Sequence, residues 1–307
     1  MHIALIGVLI ALLMGSTGYA GDGVDSPYVP PGYKQVFGDE FSTANLDTTK
    51  WWTRYIYSNG TLDYLNDELQ RYRENNNHVI VNHTLQLTAR LPGDGSIESG
   101  MVRSKMTFNG GYFEAKIRVP SGLGSWPAFW LNSDSAPDGS VSWPPEIDIM
   151  ENVINAPGVD SCCEHPNMTH TNGATHGPQN DAVLLADTNF NPEWNYWLAP
   201  YSFYNDFHVW GLLWDTSANT ITTYIDGNRI VKRRYYWKYD NNKQAPDAHV
   251  LLNLAIGGSW AGLNGIDWNA FPQALEVAYV RVYQPAGRTK TGVSSIGQGL
   301  CPTGGGC

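Results

Sequence analysis

From Val36 to about Gln284 the chain consists of short runs in which apolar and polar residues alternate, each closed by glycine, proline, asparagine or aspartate. Runs of this kind cover His78 to Ala89, Gly111 to Val119, Phe207 to Asp215, Thr220 to Ile225, Arg229 to Lys232, Val250 to Ala255 and Glu276 to Tyr283. A period of two places alternate side chains on opposite faces, the pattern of a strand with one face buried. Asp226-Gly227, between two of these runs, predicts a tight hairpin, because glycine accepts the positive φ that such a turn needs. No stretch shows apolar residues at helical spacing with comparable strength. Many short strands spaced by turns predict an all-β sandwich of two antiparallel sheets.

The ends read differently. Residues 1–20 hold the apolar run Ile3 to Met14 followed by Gly18-Tyr19-Ala20, small residues at the two positions a signal peptidase reads, and predict a cleaved signal and an extracellular or periplasmic protein. A buried N-terminal strand or helix is the alternative. Residues 21–35 form a leader rich in glycine and proline, residues 36–284 the folded domain, and residues 285–307 a Gly/Ser-rich tail. No later run reaches the roughly 18 apolar residues that span a membrane. Cys162, Cys163, Cys301 and Cys307 are an even set, which in an exported chain predicts disulfides. Three pairings are open, among them a Cys301–Cys307 loop in the tail. Asn59, Asn82 and Asn167 stand in glycosylation acceptor patterns.

Composition narrows the function. With 42% hydrophobic and 16% charged residues the chain can bury a sizeable core. A formal net charge of -10 argues against nucleic acid, whose binding needs cations to displace phosphate counterions. The chain carries 12 Trp and 17 Tyr, more ring surface than such a core requires, so some rings are expected to line a site.

The decisive segment is Trp143-Pro-Pro-Glu146-Ile-Asp148-Ile-Met-Glu151-Asn152. In a strand Glu146 and Asp148 share an outward face while Ile147 and Ile149 point into the core. Glu151 lies an odd number of residues from Glu146, so a regular strand would bury its charge beside Ile147, at high cost. One extra residue at Ile149-Met150, a β-bulge, returns Glu151 to the face of the other two acids. A solvated acidic face or a calcium site would also fit such spacing. Two carboxyl groups on one surface are nonetheless what glycoside hydrolysis requires, one to attack or stabilise the anomeric carbon and one to protonate the leaving oxygen. Asp148 between them raises its neighbours' proton affinity by repulsion.

Glu146-Ile-Asp-Ile-Met-Glu151 resembles the motif of glycoside hydrolase family 16, in the bulged form of its laminarinase-like endo-β-1,3-glucanases. Gly38-Asp-Glu-Phe41, Asn45 to Trp51, Asp67-Glu-Leu-Gln70, Gly111 to Arg118, Trp126-Pro-Ala-Phe-Trp130, Leu252 to Gly258 and Tyr279-Val-Arg-Val-Tyr283 resemble further landmarks of that family, in its order. The resemblance implies a β-jelly-roll sandwich with a concave substrate cleft, Glu146 as nucleophile, Glu151 as acid/base and Asp148 as the assisting carboxylate. It implies a retaining endo-glycosidase on a polysaccharide, a β-glucan with β-1,3 links, working as a monomer without a cofactor. The same scaffold serves agar, carrageenan and mixed-linkage glucan hydrolases and transglycosylases, and a non-catalytic glucan-binding lectin would keep the tryptophans without needing both glutamates.

Candidate substrate-binding residues follow. Trp126 and Trp130 share a strand face, and their rings can stack on the apolar faces of sugars. Trp143 and Trp260 resemble cleft tryptophans of laminarinases, and Asn66 and Arg103 are hydrogen-bonding candidates. His176 resembles a histidine beside the family's acid/base. Cys162, Cys163, His165, His170 and His176 could instead be read as a metal cluster, but adjacent cysteines do not readily share an ion and their spacing matches no common zinc pattern. Residues 155–206 are expected to be a long loop on the cleft rim. The aspartate by which laminarinase-like members help hold a structural calcium is Ala278 here, leaving Asp39, Glu40 and backbone carbonyls as donors for a weaker ion.

Overall fold

The computed structural model describes residues 26–74, 76–156, 166–174, 182–287 and 291–293. The expected signal, the first part of the leader, the four cysteines, His165, His176 and most of the tail lie outside the described residues. Two large antiparallel sheets make up the described fold, and the regular helical elements are one four-residue turn, Gly258–Ala261, and a 3-10 turn at Trp268–Ala270. The all-β sandwich expected from alternation is the observed architecture.

One sheet runs Val183–Ala186, Asn228–Arg234, Thr220–Ile225, His208–Asp215, Gly111–Arg118, Gln273–Pro285, Thr84–Ala89 and His78–Val81, with Tyr33–Asp39 also paired to Gln273–Pro285. The other centres on Met168–Ala174, Glu146–Glu151, Ser125–Ser133 and Ala248–Ile256. Between them lies one continuous core. Phe113, Ala115 and Ile117 face inward from the first sheet, and Phe129, Leu131, Ile147, Leu252 and Leu254 from the second. Removing each large apolar side chain from water contributes on the order of 1.5–3 kcal/mol, which is what holds the sheets together.

The Asp226-Gly227 hairpin forms as expected, both residues taking positive φ (50° and 76°). The run His78 to Ala89 is not one strand. It folds back at Asn82-His83, both at positive φ (49° and 58°), so that Val81 pairs with Thr84. Residues 155–206 likewise contain strands, including Met168–Ala174 beside the acidic strand and Tyr196–Leu198 beyond it. Ser26 to Pro30 also pack on the fold: the Ser26 hydroxyl donates to Glu114 at 2.7 Å, and Tyr28 lies against Gly227.

Candidate functional site

The acidic strand, Glu146–Glu151, is bulged at the expected place. Against the Ser125–Ser133 strand, Ile147 faces Leu131 and Asp148 faces Trp130, but the next pair is Met150 with Phe129, so Ile149 has no partner. Both Ile149 and Met150 are fully buried in the core. Two consecutive apolar residues thus turn inward, and Glu151 emerges on the same side as Glu146 and Asp148. All three acids line one cleft with a volume of about 350 Å³. Asp148 is more enclosed than an outward-facing residue should be, at 5% exposure. The neighbouring strand explains this: the Asp148 carbonyl accepts from the Thr171 hydroxyl at 3.1 Å, which fixes the strand pair tightly at this point.

Each glutamate is held by a tryptophan. The Trp126 indole N–H donates to Glu151 Oε1 at 3.1 Å, and the Trp143 side chain hydrogen-bonds Glu146. The Tyr235 hydroxyl donates to the Glu146 carbonyl at 2.7 Å, so the backbone beneath the first glutamate is also fixed. Burial, and then the charge of Glu151, push the Glu146 carboxyl up to about 8. The two carboxyl groups repel one another across the cleft, which favours a proton on Glu146.

The expected aromatic wall is largely present. Trp126, Ala128, Trp130 and Asn132 alternate along one strand onto the cleft, while Pro127, Phe129 and Leu131 point away from it. Trp130 is buried and donates through its indole N–H to Asn253 Oδ1 at 2.8 Å. Trp143, in contrast, is 57% exposed on the rim, as a ring that meets a polymer from solvent would be. Asn66 also lines the cleft. Trp260 stands outside the cleft lining, its ring 4.9 Å from Trp126 in an edge-on contact and 5.1 Å from His170.

Arg103 is not a cleft residue. It is fully buried behind the wall, where its guanidinium lies 4.7 Å from the Tyr57 ring and donates to the carbonyls of Ser133 and Asp134. The Tyr57 hydroxyl donates to Asn132 Oδ1 at 3.3 Å, and Asn132 is paired with Glu146 in register. Arg103 therefore supports the cleft from behind. Sequence reasoning gave no site role to Glu68, Tyr55, Asn132 and Asn253, which also line the cleft. Asn132 and Asn253 were legible in principle, as single polar residues on alternating apolar strands. His170, considered only as a metal ligand, lies directly across from Glu151.

No group of three or more His, Cys, Asp or Glu suited to a metal ion occurs among the described residues. The acids expected to offer a weak calcium site are engaged otherwise. Asp39 accepts from the Trp51 indole at 2.8 Å and from the backbone N–H of Phe41 at 3.1 Å, and Glu40 pairs with the Arg281 guanidinium through two bonds of 2.7 and 2.8 Å. A guanidinium is thus seated on Glu40, and two N–H donors on Asp39. Among the described residues no helix is long and apolar enough to cross a membrane.

Comparison with known proteins places this geometry. The family described as beta-porphyranase A-D, GH16 domain, matches residues 33–285. A beta-glucanase of Rhodothermus marinus is 30% identical over 299 residues, covering 90% of this chain and 93% of that protein. A glucan endo-1,3-beta-glucosidase A1 of Niallia circulans is 27% identical over 281 residues, which cover 82% of this chain but only 38% of that longer protein. The X-ray structure of the laminarinase from Rhodothermus marinus superposes with a TM-score of 0.60 at 28% identity, over 82% of this chain and 97% of that one.

Proposed function

Because the chain belongs to glycoside hydrolase family 16, we propose that it is an extracellular endo-hydrolase that cleaves internal β-1,3 bonds of a neutral β-glucan with retention of configuration. The observation that carries the reading is the bulge, which turns Glu146 and Glu151 out of one strand into one cleft.

In this mechanism the Glu146 carboxylate attacks the anomeric carbon while Glu151 gives its proton to the glycosidic oxygen, so the C–O bond breaks and a glycosyl ester forms on Glu146. Glu151, now ionised, takes a proton from water, and that water attacks the same carbon and releases Glu146. The first step requires the proton on Glu151 and Glu146 ionised, so the proton that burial favours on Glu146 has to pass to Glu151 or to solvent before attack. Asp148, between the two, keeps the local field negative and so supports the cationic character that develops on the sugar ring.

Charge supports this choice of substrate. The described residues lining the cleft include four carboxyl groups, Glu68, Glu146, Asp148 and Glu151, and no lysine or arginine. A polysaccharide bearing sulfate esters would be repelled by such a wall and would find no lysine or arginine to pair with among its described residues. The matching family is described by a porphyranase, yet this cleft suits an uncharged chain of the kind the glucanase relatives' names specify. Digestion of laminarin, lichenan, porphyran, κ-carrageenan and agarose, with the early products sized, tests the reading. Laminarin should be cut to mixed oligosaccharides before glucose accumulates. Preference for a sulfated galactan, or glucose as the sole early product, would overturn it.

A further inference from the structure

Glu68 is the fourth carboxyl group of the cleft, and the double displacement does not use it. It is 7% exposed, and burial pushes its carboxyl up to about 7. A buried acid of this kind is retained only where something orients it. Here Oε2 accepts from the Gln70 side-chain amide at 2.6 Å, from the backbone N–H of Leu65 at 3.3 Å and from the Tyr72 hydroxyl at 3.4 Å. All three bonds fall on one oxygen. Oε1 takes none of them, and Glu68 lines the cleft.

The anchoring side is itself tied down. The Gln70 side-chain oxygen accepts from the Ile256 N–H at 2.8 Å. The Tyr72 hydroxyl accepts from the Asn253 amide at 3.1 Å, and Asn253 in turn accepts from the Trp130 indole. A chain of hydrogen bonds thus runs from Glu68 to the tryptophan in the cleft wall. A carboxyl group held by three donors on one oxygen has already lost the freedom that binding would otherwise remove, which is the arrangement of a recognition group.

We propose that Glu68 is a substrate-binding residue whose Oε1 takes a hydroxyl of the sugar lying between Asn66 and Trp130. This rests on reading the cleft as a glucan site, and it adds a contact that the catalytic pair does not provide. Loss of the contact should cost about tenfold in affinity, the worth of one hydrogen bond to a sugar hydroxyl. Because the carboxyl titrates near neutrality, seating a hydroxyl on it should also change its proton occupancy.

Calorimetric titration with a hexasaccharide of β-1,3-linked glucose, in a full-length Glu146→Gln background that does not turn over, tests this in buffers of different ionisation enthalpy near pH 7. Added Glu68→Ala should weaken binding about tenfold, and Glu68→Gln should reduce the buffer dependence of the binding enthalpy. Unchanged affinity in Glu68→Ala would overturn the proposal. Should that variant not fold, buffer dependence in Glu68→Gln equal to that of the background would overturn it instead. Absence of hexasaccharide binding by the background protein would sink the glucan reading itself, a different outcome from normal binding that ignores Glu68.

Discussion

Glutamine in place of Glu114 should flatten the dependence of stability on pH, and the size of the effect can be worked from the structure. Glu114 lies on the Gly111–Arg118 strand, fully buried, where its carboxyl accepts from Ser26 and has the Arg281 guanidinium 3.8 Å away. Burial outweighs both partners and pushes the group from its ordinary 4.5 up to about 7. For an acid raised by folding, the native state prefers the protonated form. Below the ordinary value both states hold the proton and folding costs nothing extra, whereas above about 7 both have released it and the native state bears the full penalty. Stability is therefore lost as pH rises from about 4.5 to about 7, by on the order of 3 kcal/mol. Glutamine does not titrate. Urea unfolding of the full chain and of Glu114→Gln across pH 4 to 8.5 should show the variant gaining about 2–3 kcal/mol on the parent with rising pH. Two stability curves that stay parallel over that range would refute the assignment of Glu114 as a buried acid held in its neutral form.

Three further outcomes are expected at the site. Glu146→Gln and Glu151→Gln should each lower turnover of laminarin by about a thousandfold or more while leaving circular dichroism and oligosaccharide binding near those of the parent. Deleting Ile149 removes the bulge residue and leaves Glu151 four positions from Glu146, still on the cleft face of a now regular strand; the protein should keep part of its activity while the loss of a buried side chain lowers the unfolding midpoint, which product assays and thermal melts detect together. Trp143→Ala removes an exposed ring and a hydrogen bond to Glu146, and should raise KM about tenfold in initial-rate measurements.

Much of this site was legible in the sequence because its signals were local. The odd spacing of Glu146 and Glu151, with three apolar residues and one acid between them, allowed only a bulge if no charge was to be buried. Alternation likewise placed Trp126 and Trp130 together. What stayed hidden depended on partners far along the chain. Thr169 and Thr171 are buried at positions where a hydrophobic residue would mark a strand, and their hydroxyls donate to the carbonyls of Glu151 and Asp148. With threonine in those places the Met168–Ala174 strand shows no apolar period, and the segment reads as loop. The Asn82-His83 turn was masked because histidine is not a common turn former, so one alternating run concealed two strands. Arg103 illustrates the same limit for charge: a guanidinium reads as a surface or ligand-binding group until Tyr57 and Asp134 are seen enclosing it.

The central claim is that Glu146 and Glu151 act as nucleophile and acid/base of a double displacement on a β-glucan. Time-resolved proton NMR of a fresh laminarin digest, read in the anomeric region before mutarotation sets in, tests it most directly. The account predicts that the new reducing ends appear first as the β-anomer, with the α-anomer growing only later by mutarotation. First appearance of the α-anomer would mean direct displacement by water, and would contradict it.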